Sequence, residues 1–488
     1  MPAARRLAVE ALEDRLAPAR LTPDQVRAAY GIDRIPAFAG GIAADGAGQT
    51  IAIINNLDNP NVAADTAAFD AMFGTAQNKL NARPVSGPGG FLRVVDQTGG
   101  TAYPAQSPSG GEHVLDVQWV HAIAPMANII LVECNGSAAD HRAGIRWAMT
   151  SGATVISNSY GAPESTADAA TDGTYLNPGA TGVAFLTSAG DKSIVAYPSA
   201  SANALSVGAT GLTVGAGNAY GGESAWTYNP AGTGNNIGGG GGVSQYVSRP
   251  TYQDGVAGVT GASRGTPDVA AVGASASPLS VYNTLNGPGL TGIFGTSASC
   301  PIWAGLIALV NQGRAAAGLG PYNTSAGPGL MNNQLQTNLY ALAANPTTYA
   351  ADFHDVTDGT NSYGDTGRVG YDLLTGIGSP AADRLVPDLI GYTRTVLSAS
   401  TAAAPPTFTA AVTGPSAVPT GTVRFRAGTT VLGTAPLVGG RATLALAANP
   451  LPNRAVTVTA EYLGDLNYPG SAGTAAADVA GGVHLAGI

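Results

Sequence analysis

Three stretches of this chain hold side chains whose types and spacing could do chemistry. In Gly111-Glu112-His113-Val114-Leu115-Asp116-Val117-Gln118-Trp119-Val120 the pattern is helical, so Glu112 and Asp116, four residues apart, share one face. Their neighbours are mostly apolar, which predicts an enclosed face. Two like charges at this spacing destabilise a helix by about a few tenths of a kcal/mol in water and by more when buried. A solvated acidic pair is the ordinary alternative. In Val183-Ala184-Phe185-Leu186-Thr187-Ser188-Ala189-Gly190-Asp191 an apolar strand runs into Gly-Asp, placing Asp191 at a strand's carboxyl end. An Asx-turn accounts for such an Asp equally well. In Gly295-Thr296-Ser297-Ala298-Ser299-Cys300-Pro301 a turn of small residues opens into an apolar segment reaching Val310, which reads as a buried helix. Ser297 falls at or just before its first turn, where free N–H groups and the helix dipole favour developing negative charge. Pro301 is expected in that first turn, where a missing N–H costs nothing. A plain N-cap would also explain the Ser.

The elements that must position these groups follow from hydrophobic patterning. Short apolar runs bounded by polar turns lie at Gln49–Asn55, Asn128–Glu133, Thr154–Ser157, Val183–Thr187 and Ala204–Gly208, and helical stretches at Gly111–Ile123 and Asp140–Thr150 fall between them. Such alternation predicts an α/β fold with a parallel sheet covered on both faces, whose sites lie at the carboxyl ends of strands. Thr22 and Pro23 mark an earlier helix start. Residues 212–300 are rich in Gly and turns, and Ala351–Pro380 is a loop-rich zone. From about Arg394 the chain turns Thr-, Ala- and Val-rich. Its short alternating segments, such as Gly421–Arg426 and Ala455–Tyr462, predict a small all-β sandwich with a boundary near residue 393.

Composition narrows the classes. The 488 residues are 44% hydrophobic and 11% charged, with 68 Gly and 32 Pro, which is a turn-rich globular chain rather than a disordered one. A net charge of -9 without a basic patch argues against nucleic acid or anionic membranes as partners. Lys79 and Lys192 are the only lysines. A sparsely charged chain suffers little self-repulsion when its carboxylates protonate, so acid conditions are tolerable. Cys134 and Cys300 lack metal-ligand spacing and read as buried, unpaired small hydrophobes. No run of eighteen apolar residues predicts a membrane span. The segment Arg5–Leu16 lacks the apolar region of an ordinary signal peptide but resembles short leaders on exported bacterial proteins, so residues 1–20 are expected to be a leader.

Taken together, the Glu–Asp helix pair, the Gly-Asp strand end and the G-T-S-A-S-x-P turn resemble the sedolisin family of serine-carboxyl peptidases. Further stretches agree in order: Ala124-Pro125, Ser157-Asn158-Ser159-Tyr160-Gly161, Tyr197-Pro198-Ser199-Ala200-Ser201, Gly240-Gly241-Gly242-Val243-Ser244 with Pro250-Thr251-Tyr252-Gln253, and Arg264-Gly265-Thr266-Pro267-Asp268-Val269. The resemblance spans about residues 21–392 and implies a subtilisin-like doubly wound, mainly parallel catalytic domain. It implies that Ser297 is the nucleophile, Glu112 the general base, Asp116 the acid orienting Glu112, and Asp191 the acid of the oxyanion hole beside the Ser297 amide. The physics suits those roles, since carboxyls whose environments push their pKa values apart can act as base and as proton-bearing donor below neutral pH, where a His base is largely protonated.

By the same resemblance Asp355 and Asp372, with the carbonyls of Val356, Arg368 and Gly370, form a structural calcium site. Oxygen-only ligands suit that ion, and a polar turn held by Asx bonds is the ordinary alternative. Arg368 stands where the family usually has Gly, which raises a question about the loop's dihedrals. Two other departures stand out. Only about twenty residues precede Leu21, where family members carry a long folded pro-domain, and Asn55 stands where some members extend the acidic network with Glu.

Residues 393–488 resemble a bacterial Ig-like module through Pro419–Phe425, Val431–Leu437 and Ala460–Tyr468, implying a spacer or a surface for contact with cells or other proteins. The reading is thus a secreted or cell-envelope, acid-active serine endopeptidase of protein and peptide substrates, with domains at 21–392 and 393–488. Two alternatives stand beside it. One is a subtilisin-like enzyme with a His base, although none of His113, His121, His141, His354 and His484 opens the H-G-T-x-V-A-G helix it needs. The other is a catalytically inactive peptidase-fold protein that binds or adheres.

Overall fold

The computed structural model describes residues 20–477 except 176–181, 229–236, 260, 288, 326–332, 362–364, 392, 401–405, 415–417, 447–455, 466–467 and 469. The expected leader, apart from Arg20, and His484 lie outside the described residues. By its internal contacts the chain divides into two compact units. One comprises residues up to Pro36, Ala43–Gln312 and Pro321–Leu385, and the other Ala37–Ile42, Gly313–Gly320 and Val386 onward.

An eight-stranded sheet organises the first unit. Its strands are β1 (Thr50–Asn56), β2 (Leu92–Asp96), β3 (Asn128–Cys134), β4 (Val155–Asn158), β5 (Ala184–Ser188), β6 (Leu205–Val214), β7 (Tyr220–Ala225) and β8 (Val269–Val272). They run in the order β8-β6-β5-β4-β1-β3-β2, all parallel, while β7 pairs antiparallel with β6. The apolar runs expected as strands are all here, most shifted by about one residue. Strand β6 is the exception, since it runs on to Val214 to accept β7.

Three helices matter to the site: α1 (Gly111–Ile123), α2 (Ala138–Ala148) and α3 (Thr296–Ala316). Alternation along β1 and β3 sends Ala52, Ile54, Ile130 and Val132 to one face, where they pack with Ile145 and Ala148 of α2. The opposite face meets α1 and α3. Cys300 Sγ of α3 lies 3.5 Å from Ser157 Oγ of β4, and Trp303 Nε1 donates to the Ala270 carbonyl of β8 at 2.8 Å. A Cβ on Gly305 would stand 2.6 Å from Ile123 Cβ, so Gly lets α3 approach α1 closely. Eleven of the thirteen residues of α1, from His113 to Ile123, are buried, which is why this helix reads as apolar on every side.

One local expectation is corrected. The helix that carries Ser297 begins at Thr296, so Pro301 lies inside it rather than in its first turn. Without an N–H, Pro301 cannot donate to the carbonyl four residues back, that of Ser297, which is therefore left out of the α3 ladder. Cys134 and Cys300 are both buried and unpaired, as expected.

The second unit holds two antiparallel sheets. One is β9 (Arg394–Ser400), β10 (Thr407–Thr413) and β13 (Arg441–Ala445); the other has the order β12-β11-β14-β15, from β11 (Thr422–Ala427), β12 (Thr430–Pro436), β14 (Val456–Tyr462) and β15 (Ser471–Ala477). A separate apolar core containing Leu397, Phe408, Val423, Phe425, Val458 and Tyr462 lies between them.

Candidate active site

The carboxyl ends of the parallel strands converge where α1 and α3 begin. Glu112 sits in the first turn of α1, Asp116 one turn on, Asp191 three residues past β5, and Ser297 in the first turn of α3. The structure brings all four together. The Glu112 carboxyl lies beside the Ser297 and Ser159 hydroxyls, and its Oε1 atom is buried without a partner.

Asp116 has no exposed surface. Its Oδ2 accepts from Asn55 Nδ2 at 3.0 Å and its Oδ1 from Ser159 Oγ at 3.2 Å. Tyr160 Oη in turn donates to Asn55 Oδ1 at 3.0 Å. Asn55 thus ties Asp116 to Tyr160, in the place where a longer acidic network was noted as absent. Burial holds both Glu112 and Asp116 above the ordinary carboxyl range; for Asp116 the charge of Glu112 adds to the shift, while for Glu112 the Ser297 contact opposes it and the Asp191 charge adds to it. Two desolvated carboxyls one helical turn apart cannot both ionise cheaply, so the pair retains a proton well above the usual range.

Asp191 is fixed from one side. Its Oδ1 accepts from Thr296 N at 2.8 Å and from Thr296 Oγ1 at 2.7 Å, and Thr296 Oγ1 itself accepts from Gly190 N at 3.0 Å. Gly295, at φ 137°, makes this possible: a Cβ there would come within 2.9 Å of Asp191 Oδ2. Burial raises the Asp191 pKa, and the two Thr296 bonds oppose the rise. A cleft of about 240 Å³ opens beside these groups, with Ser159, Tyr160, Gly161, Asp191, Thr296 and Ser297 in its wall. In the first turn of α3 the Ser297 N–H is one of the amides without a helical acceptor.

No described histidine serves the Ser297 hydroxyl. His113 Nε2 faces the Leu57 carbonyl at 3.0 Å, His121 Nε2 the Leu80 carbonyl at 3.1 Å, His141 packs edge-on against Tyr160, and His354 stacks on Tyr220. The sequence reading did not single out Thr296 or Ser159 as partners of the acids. A hydroxyl inside the G-T-S turn was the available signal for Thr296.

Of the residues expected to hold calcium, Asp355 and Gly370 are in contact, as are Asp372 and Arg368. Gly370 N donates to Asp355 Oδ2 at 3.1 Å and Arg368 N to Asp372 Oδ2 at 3.2 Å, so both carboxylates bracket one loop. Asp372 Oδ1 accepts from Leu374 N at 2.9 Å and Thr375 N at 2.8 Å. Gly370 has φ 83°, whereas Arg368 is not among the residues with positive φ, so a side chain there is unstrained. Among the described residues no three His, Cys, Asp or Glu side chains gather at one point. The expected ligands, two carboxylates and three backbone carbonyls, are all oxygen, the chemistry a hard cation takes.

The sequence model of the subtilase family matches residues 99–351, and that of the bacterial Ig-like domain (group 3) matches residues 393–480. Kumamolisin of Bacillus sp. (strain MN-32) is 31% identical over 414 residues, covering 78% of this chain and 66% of that protein. Sedolisin of Pseudomonas sp. (strain 101) is 29% identical over 252 residues, covering 46% of this chain and 39% of that protein. The aligned chain therefore spans less than two thirds of each relative's length. The structure of Pseudomonas sedolisin, a serine-carboxyl proteinase complexed with pseudo-iodotyrostatin, superposes with a TM-score of 0.62 at 24% identity over 76% of this chain and 98% of that one, a likeness of fold. The chain belongs to the subtilase family, is similar within it to kumamolisin and sedolisin, and carries a bacterial Ig-like domain.

Proposed function

We propose that this chain is an exported, acid-active serine endopeptidase in which Ser297 attacks the peptide carbonyl, Glu112 takes its proton, Asp116 holds Glu112, and Asp191 stabilises the oxyanion. The observation that carries the reading is the half-buried Glu112, its Oε1 atom enclosed, set against the Ser297 hydroxyl where a histidine would otherwise stand. As Ser297 Oγ bonds to the carbonyl carbon, its proton passes to Glu112 and the carbonyl oxygen becomes an oxyanion. The Ser297 N–H and a protonated Asp191 donate to that oxygen. The proton on Glu112 then goes to the leaving amine as the C–N bond breaks, and water repeats the sequence in reverse to free Ser297.

The pH range follows from the enclosure. The first ionisation among the three carboxyls meets no repulsion, and the Ser297 hydroxyl favours placing that charge on Glu112. A second ionisation removes the proton Asp191 needs. Digestion of an unfolded protein across pH 2 to 8 tests this, with the maximum of kcat/KM expected below neutral and abolished in Ser297→Ala. A maximum at or above neutral would overturn it.

Asp355, Asp372 and the carbonyls of Val356, Arg368 and Gly370 would hold calcium, which supplies structural cross-linking of the loop and takes no part in the reaction. We assign residues 21–392 to the peptidase domain and 393–488 to the Ig-like domain, which serves as a spacer or as a surface for contact with cells or other proteins. The Ig-like module and the sparse charge support an extracellular or cell-envelope location. Among the described residues no helix is long and apolar enough to cross a membrane.

A further inference from the structure

Glu133, the penultimate residue of β3, has no exposed surface, and its Oε2 atom has no partner. Burying a carboxyl with one oxygen unsatisfied is costly, so a use is expected for it. In the parallel register Glu133 stands beside Asn55 of β1, so both side chains leave the sheet on the face covered by α1. Asn55 holds Asp116. Glu133 Oε1 accepts from Asn59 N at 2.9 Å, and Asn59 Nδ2 donates to the Gly110 carbonyl at 3.1 Å, immediately before α1. In the same first turn of α1, His113 Nε2 donates to the Leu57 carbonyl at 3.0 Å and lies 3.8 Å from Glu133 Oε1. A Cβ on Gly110 would stand 2.6 Å from Asn59 Nδ2, so the join admits no larger residue.

We propose that Glu133 is a positioning residue for Glu112, acting through Asn59 and Gly110 to fix the first turn of α1. Two strand ends then set the helix at two points, Asn55 at Asp116 and Glu133 one turn earlier. The groups facing Glu133 are Asp58 from the loop after β1 and His113 from α1; Asp96 of β2 shares its register but is turned to its own loop by bonds from Thr98, Gly100 and Ala102. Burial and then Asp58 raise Glu133 to about 8, with the Asn59 N–H opposing, so it is uncharged at acid and neutral pH and adds no repulsion beside Glu112.

The inference rests on Glu112 being the base, so Ser297-dependent hydrolysis by the wild-type chain is established first; its absence would refute that reading and not this one. Kinetics then compare Glu133→Ala, Glu133→Gln, Asn59→Ala and the double Ala variant at pH 5, with folding checked by thermal melts. Displacement of a reacting group by about 1 Å costs up to about 100-fold. Glu133→Ala and Asn59→Ala should each lower kcat by about 10- to 100-fold with KM nearly unchanged. The double variant should fall no further than the worse single one, because the two act in one chain of contacts. Glu133→Gln, which keeps an acceptor for Asn59 N–H and a neutral side chain, should restore kcat to within about threefold of wild type. Retained kcat in both Ala variants, additive losses, or losses confined to KM would each overturn the proposal. Should Glu133→Ala fail to fold, Asn59→Ala decides alone, and unchanged kcat in it refutes the linkage.

Discussion

Asp191→Asn is the substitution that most sharply separates the oxyanion role from a turn-forming one. Asp191 Oδ1 is occupied by the two Thr296 donors at 2.8 and 2.7 Å, so Oδ2 is left to carry the proton. An Asn side chain can adopt the same pose, with its carbonyl oxygen accepting from Thr296 and its NH₂ at the Oδ2 position. It then donates at every pH. Removing an oxyanion donor outright costs about 100- to 1000-fold in kcat, or about 3 to 4 kcal/mol. Asp191→Ala should therefore fall by at least that factor, while Asp191→Asn should be the mildest of the active-site substitutions. Ser297→Ala, Glu112→Gln and Asp116→Asn should each come close to abolishing turnover, because nucleophile and base pair act as a unit. The pH profile carries a second signature. The alkaline limb of kcat/KM should move up in Asp191→Asn, since one required proton is no longer needed. The acid limb should stay or move down, because a charge on Asp191 is one of the causes raising Glu112. Stopped assays on a quenched-fluorescence peptide from pH 2 to 8 measure both limbs. If Asp191→Asn and Asp191→Ala both change stability and leave kcat/KM within a few-fold of wild type, Asp191 is only a turn residue.

Other consequences are open to direct measurement. Chelation should lower the melting temperature of the first unit, Asp372→Ala should melt at that lower temperature, and it should no longer respond to chelator; no change on chelation would remove calcium from the account. Between pH 6.5 and 8 stability should fall. Burial raises Asp70 and Glu133 to about 8, so above the ordinary unfolded carboxyl range the native state holds protons the unfolded chain has released; each contributes a loss of up to about 1.4 kcal/mol per pH unit. His141 and His354 are lowered to about 4 by burial and act in the opposite sense, removing stability as pH drops from about 6.5 toward 4, so melts should be lower at pH 8 than at pH 6.5, and the reverse would contradict the signs. Asp268→Ala should destabilise by about 3 to 5 kcal/mol, since it strands the Arg264 guanidinium, held at 3.1 and 2.7 Å with no exposed surface, and urea unfolding reads the loss. A chain ending near residue 393 should keep cooperative unfolding and peptidase activity, because the core from Leu397 to Tyr468 is drawn wholly from beyond that point.

What could be read from the sequence followed the range of each interaction. The strands and α1 were legible because apolar runs and a 3.6-residue period are local signals. The Glu112–Asp116 pair was legible for the same reason, being one turn apart. Partners chosen across the fold were not. Thr296 and Asp191 are 105 residues apart, and Asn55 and Asp116 are 61 apart, so only the closed sheet brings them into contact. Pro301 was misplaced because the helix start was set from the apolar residues, whereas α3 begins among the small polar ones before them. Glu133 passed as the polar end of an apolar strand, and nothing in its neighbours announced that both its carboxyl oxygens would be buried.

Acidity enters this protein at more than the reacting groups, and that bears on how the working range could be changed. Glu112, Asp116 and Asp191 are raised first by burial, and the same cause raises Asp70 and Glu133 outside the proposed reaction. Desolvation favours the neutral form of each, so acid pH relieves these carboxyls, while the buried His141 and His354 set the opposing limit at lower pH. A variant with an oxyanion donor that needs no proton would extend activity toward neutral pH, but the chain would still lose stability there as Asp70 and Glu133 ionise. Combining Asp191→Asn with Asp70→Asn and Glu133→Gln addresses both terms. The single variant should gain relative activity at pH 7.5 with a smaller gain in half-life than the triple variant, because Asp70 and Glu133 remain to ionise in it.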